Sequence, residues 1–168
     1  MAPIPTVLRT ARQDLGTNDT KLDSFNIKAL DGTAKTVAFS IHGANELINV
    51  GSHATVAATA GPDTFVFASP ASAGSTITGF SAGSDLLQIS ASGFGHGLAA
   101  NTGASLVNAA DHNAAFHTGA GGYFIFDNRG SDAGTVFWDA TGGHGDDATA
   151  LVKLPGMTSL MSSDFHLV

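Results

Sequence analysis

From Thr36 to Ser90 the chain is written as short apolar runs broken by Gly, Asn, Asp and Ser. The runs are Thr36–Ile41, Glu46–Val50, Thr55–Ala58, Thr64–Ala68, Ser75–Thr78 and Leu86–Ser90. They are too short and too punctuated for helices, and they predict strands. Phe65 and Phe67, like Leu87 and Ile89, stand two apart, the spacing that puts both on one face of a strand. The turns ahead of the runs resemble one another. Gly43-Ala-Asn45, Gly51-Ser-His53, Gly61-Pro-Asp63 and Gly83-Ser-Asp85 each place a Gly, any residue and a ligand-capable polar residue before an apolar stretch. A turn and a short strand repeated in this way is how a parallel β-solenoid is written.

Elsewhere the pattern is less regular. Residues 1–35 read as a leader or peripheral strand segment, with Phe25–Ile27 as its strand, ahead of a single domain over 36–168. An Ala-rich stretch, Leu98–Ala115, predicts one helix. Tyr123–Phe126 and Thr135–Trp138 predict two strands joined by a hairpin-like turn over Asp127–Asp132. A polar loop, Asp139–Asp147, leads to a further strand at Ala148–Leu154, which Pro155-Gly156 ends. The inward residues of this scheme are Phe65, Phe67, Ile77, Leu87, Ile89, Phe126, Phe137 or Trp138, and Leu151.

Composition changes the picture in three ways. The 21 glycines without a collagen period imply many tight turns. Every acidic residue but Glu46 is an aspartate, the acid suited to turns and short-reach oxygen coordination. No basic residue lies between Lys35 and Arg129, so the net charge of −7 sits on the body of the chain, the reverse of a nucleic-acid or anionic-membrane footprint. With no cysteine, disulfides and thiolate metal sites are excluded. No apolar run reaches membrane-spanning length, and Met1-Ala-Pro-Ile-Pro5 does not read as a signal peptide.

Two stretches resemble the C-terminal region of RTX proteins, the serralysin-like C-terminal family of type I secreted, hemolysin-type proteins. Gly61-Pro-Asp-Thr-Phe-Val-Phe67, Ser75-Thr-Ile-Thr-Gly-Phe80 and Gly83-Ser-Asp-Leu-Leu-Gln-Ile-Ser90 are similar to that family's GxDTFVF turn, TIxDF strand and GxDxIDLS strand. Gly134-Thr-Val-Phe-Trp-Asp139 through Asp164-Phe165 is similar to its GxLxYDxDG strand and loop, its ATLxG strand and its terminal DF signal. The family's nonapeptide never appears complete, Gln88 replaces a strand aspartate, and Gly79 stands at another aspartate's place.

The resemblance implies an all-β fold: a short, degenerate parallel β-roll, then a mixed or antiparallel β cap, with little helix. It implies Ca²⁺ held by successive Gly-x-Asp turns, with Asp63 and Asp85 as carboxylate ligands, carbonyls near Gly61 and Gly83, and Asn45 as a further oxygen. Asp139, Asp146 and Asp147 form a second candidate Ca²⁺ site. The segment Asp164–Val168 resembles a signal read by a type I ABC exporter, so the chain is expected to be secreted. No HExxH, Gly-x-Ser-x-Gly or phosphate loop occurs, so the chain is expected to be non-catalytic, in itself or as the end of a larger secreted enzyme. His112 and His117, five apart, do not share a helix face and read with the other histidines as solvated loop residues. Two other functions fit the sequence. One is an extracellular carbohydrate-binding or adhesion module whose sugar face is Trp138, Tyr123 and the Asp139 loop. The other is a small polysaccharide-active enzyme with an unrecognised site.

Overall fold

The structure, a computed structural model, describes residues 20–42, 45–59 and 61–168. It begins with an antiparallel hairpin, β1 (Thr20–Lys28) and β2 (Ala34–His42), which spans the expected boundary at Lys35. Cross-strand partners share a face, and one face of this hairpin carries Phe25, Ile27, Phe39 and Ile41, all exposed.

The next five strands wind as a coil. β3 (Glu46–Asn49), β5 (Asp63–Phe67) and β7 (Leu86–Ile89) pair in parallel in one sheet, and β4 (Thr55–Ala57) and β6 (Ser75–Thr78) pair in parallel in another. The chain thus changes sheet with every strand, and the apolar residues between the sheets become the core. Phe65 lies opposite Leu87 and Phe67 opposite Ile89, all four fully buried together with Ile77. Every inward residue expected from the two-residue spacing is buried, including Phe126, Leu151 and both Phe137 and Trp138.

After β7 comes a single helical turn, α1 (Ala91–Phe94), whose N-cap Ser90 accepts from the backbone N–H of Gly93. The expected helix within Leu98–Ala115 does not form. That stretch holds β8 (Leu106–Ala109) and a 3₁₀ turn at His112–Ala114. The β-branched and apolar pair Leu106-Val107 runs parallel to Phe124 and Ile125, and this sheet pairing outweighs the helix propensity of the alanines. Two short strands, β9 (Phe116–His117) and β12 (Gly143–His144), pair with each other at the rim.

β10 (Tyr123–Asp127) and β11 (Thr135–Asp139) form the expected hairpin, and every residue of the two strands is buried. The turn closes tightly at Gly134, at φ +82°, where an added Cβ would lie 2.6 Å from the Leu154 carbonyl oxygen. β13 (Thr149–Lys153) joins β11 antiparallel on one side and β6 parallel on the other, linking cap to coil. β14 (Phe165–Leu167) adds a parallel strand beside β7, with Phe165 opposite Leu87 and Leu167 opposite Ile89. The sheet orders are therefore β14-β7-β5-β3 and β4-β6-β13-β11-β10-β8. The fold is all-β with mixed sheets, as expected. No helix among the described residues is long and apolar enough to cross a membrane.

Candidate metal centre

The turn aspartates are buried and spoken for. Asp63 takes the backbone N–H of Thr59 on Oδ2 (2.7 Å) and the Thr59 hydroxyl. Asp85 takes Ser81 N–H on Oδ2 (2.8 Å) and the N–H of Asp63, one strand over, on Oδ1 (3.0 Å). Asp164 repeats the arrangement, taking Met161 N–H on Oδ2 (2.7 Å) and Gly83 N–H on Oδ1 (2.8 Å). Each carboxylate closes its own turn, and Asp85 and Asp164 also reach to the neighbouring turn. Burial, reinforced by the charge of Asp63, holds the Asp85 carboxyl above the usual carboxylate range, against the two N–H groups that pull it down.

The other expected ligands are spread out. Asn45 is exposed, and Gly61 and Gly83 sit at positive φ as turn residues. Asp139 is buried, whereas Asp146 and Asp147 are exposed, and the three do not bring ligand atoms within 4.8 Å of one another. Asp139 Oδ1 accepts from the backbone N–H groups of Thr141 (2.8 Å) and Gly142 (3.1 Å), while its Oδ2 is buried without a partner. Across the strands from Asp139, the Tyr123 hydroxyl donates to the Gly143 carbonyl (3.1 Å). Burial, then the charges of Asp139, Asp147 and Asp146, push its pKa up to about 12. Tyr123 and Trp138 are both core residues, so the sugar face expected of them does not form.

Among the described residues, the group of acidic and histidine side chains that does converge is Asp111, His112 and Asp127, with one ligand atom of each within 4.8 Å of the others. None of these was expected as a ligand. Asp127 ends β10, where its Oδ2 accepts the His112 N–H (3.0 Å) and its Oδ1 accepts the Arg129 N–H (3.0 Å). Asp111 caps the 3₁₀ turn by taking the Asn113 N–H on Oδ1 (3.0 Å). The His112 ring, far from being a solvated loop side chain, stacks on Phe137 with centroids 3.8 Å apart and planes 10° from parallel. Its Nδ1 is buried without a hydrogen-bond partner, 3.4 Å from Asp127 Oδ2 and 3.6 Å from Asp132 Oδ2. A cavity of about 360 Å³ opens beside Asp111 and Asp127, lined also by Arg129, Ser131 and Asp132 but not by His112. This group can hold a metal ion.

The sequence signal for this centre was thin. Asp111-His112 is an adjacent pair, but its third member follows 15 residues later, beyond a strand, at no motif spacing. No family model matches the chain, and no curated protein or solved structure matches it either.

Proposed function

We propose that this chain is the non-catalytic, metal-linked β-roll end of an exported RTX-type protein, with the segment Asp164–Val168 as its type I export signal. The observation that supports this reading best is the ladder of turn aspartates. Asp63, Asp85 and Asp164 stand at the heads of three neighbouring parallel strands, β5, β7 and β14, each at a position that resembles the family's motifs. On this reading the exporter engages the C-terminal segment while the chain is unfolded. Once folded, Asp164 and Phe165 are buried and no longer offered. Calcium is the metal the reading expects outside the cell, and of the expected ligands Asp139 Oδ2 has unused acceptor capacity.

The experiment is transfer of the signal. Residues 134–168, fused behind a slow-folding passenger, carry it out of a cell that expresses a compatible type I exporter. Retention of that fusion, while a known signal exports the same passenger, sinks the reading. Because the passenger's own stability does not depend on this fold, the outcome separates recognition of the segment from its part in the sheet.

A further inference from the structure

We propose that Asp111, His112 and Asp127, with Asp132 beside them, form a binding site for a zinc-class divalent transition metal, distinct from the calcium expected of the turns. The inference goes beyond the export reading and stands or falls independently of it.

The first observation is the unused nitrogen. A buried imidazole nitrogen ordinarily has a hydrogen-bond partner, and His112 Nδ1 has none. Its two near neighbours, Asp127 Oδ2 at 3.4 Å and Asp132 Oδ2 at 3.6 Å, are too far for good hydrogen bonds. They are at the right distance for something else. Ligands at about 2.0–2.1 Å from a tetrahedral ion lie about 3.3–3.4 Å from one another. The 3.4 Å separation from Asp127 Oδ2 therefore matches one edge of a coordination tetrahedron, and Asp111 has a ligand atom within 4.8 Å of both.

The second observation is how firmly the donors are set. Stacking on Phe137 fixes the plane of the imidazole, and the His112 N–H bond to Asp127 fixes the backbone that carries it. Arg129 N–H anchors the other oxygen of Asp127. Asp111 reaches the group from the adjacent residue, and the cavity beside Asp111 and Asp127 leaves room for water. The donor chemistry then selects the metal class. One imidazole with two carboxylates suits Zn²⁺ and its neighbours. Calcium, which takes oxygen ligands, makes no use of the imidazole nitrogen on which the group centres. Bound metal would tie the His112–Ala114 turn to the β10–β11 turn, two segments joined otherwise by single hydrogen bonds such as that from His112 N to Asp127.

The test is calorimetric titration of chelator-treated full-length chain with Zn²⁺, and separately with Ca²⁺ and Mg²⁺. One Zn²⁺ per chain should bind, with neither hard cation displacing it at millimolar concentration. Asp111→Asn keeps the capping oxygen and should weaken Zn²⁺ at least tenfold, as should His112→Ala. Melting of the metal-free variants checks that each is folded. If His112→Ala does not fold, Asp111→Asn carries the test, because its side chain is exposed. His144→Ala, at an exposed histidine elsewhere, should leave affinity unchanged. Long-range nitrogen–proton NMR adds a direct readout, since Zn²⁺ should shift His112 Nδ1. Absence of Zn²⁺ binding at about a hundred micromolar overturns the proposal. So does binding that Asp111→Asn and His112→Ala leave untouched, or that His144→Ala abolishes.

Discussion

At the scale of single residues, the buried polar groups carry the most consequence. Tyr123 is the only tyrosine in the chain, so its ionisation can be read without interference. Its hydroxyl is neutral in both folded and unfolded states below the ordinary value of 10.0, and in the folded state it stays so up to about 12. Between those values the unfolded chain has lost a proton that the folded chain keeps. Stability is therefore intact below pH 10 and falls as pH rises toward 12. Ultraviolet titration should place phenolate formation near the upper value, together with unfolding. A reversible midpoint near the ordinary value, with the fold intact, would show the hydroxyl to be solvated and contradict its position between Gly143 and Asp139. His112 illustrates the limit of reading residues one at a time. In sequence it stands out only beside His117, because the carboxylates near its ring, Asp127 at the end of β10 and Asp132 in the turn beyond, lie well along the chain. Asp63 and Asp85 illustrate the converse: their positions were legible, but not that backbone N–H groups would claim their oxygens.

At the scale of elements, the two-residue alternation continues into the last strand. Phe165 and Leu167 are buried while His166 between them is exposed. Leu167→Ala should destabilise the fold by about 2–5 kcal/mol, the range for large core truncations. His166→Ala should stay within about 0.5 kcal/mol. Chemical denaturation measures both, and similar values for the two would mean that the strand is not seated as described. The strands of the coil were legible because period-two apolar pairs such as Phe65/Phe67 and Leu87/Ile89 mark a face without help from tertiary context. β8 was not, because Ala-rich sequence favours helix locally and only the neighbouring β10 makes it a strand. β9 and β12 have two residues each, too few for any pattern. The segment Asp164–Val168 is the instructive case. Its likeness to an export signal is visible in the residues themselves, whereas its place as the outer strand of a sheet depends on a partner far away in sequence.

For the whole molecule, sheet and charge pull in different directions. The net charge of −7 is distributed as aspartates over a body with few cations, and self-repulsion of this kind weakens a compact state. A cation bound only by the folded chain offsets it. If calcium binds as proposed, free Ca²⁺ at a hundred times its Kd adds roughly 2.7 kcal/mol. The melting temperature should then rise by several degrees in millimolar Ca²⁺ and return on chelation, and identical melting with and without Ca²⁺ would remove calcium from the account. The closure of the coil has a consequence in time as well. β7 finds its outer neighbour only in β14, and Gly83 meets the carboxylate of Asp164 across 81 residues of chain. A ribosome therefore releases β3 to β7 well before the strand that completes their sheet exists. Until then β7 presents an open edge, and contacts of such long sequence separation form slowly. The coil cannot finish vectorially, from first strand to last, but has to wait for its lid; on the export reading proposed above, that delay leaves an exporter a pliable chain to thread.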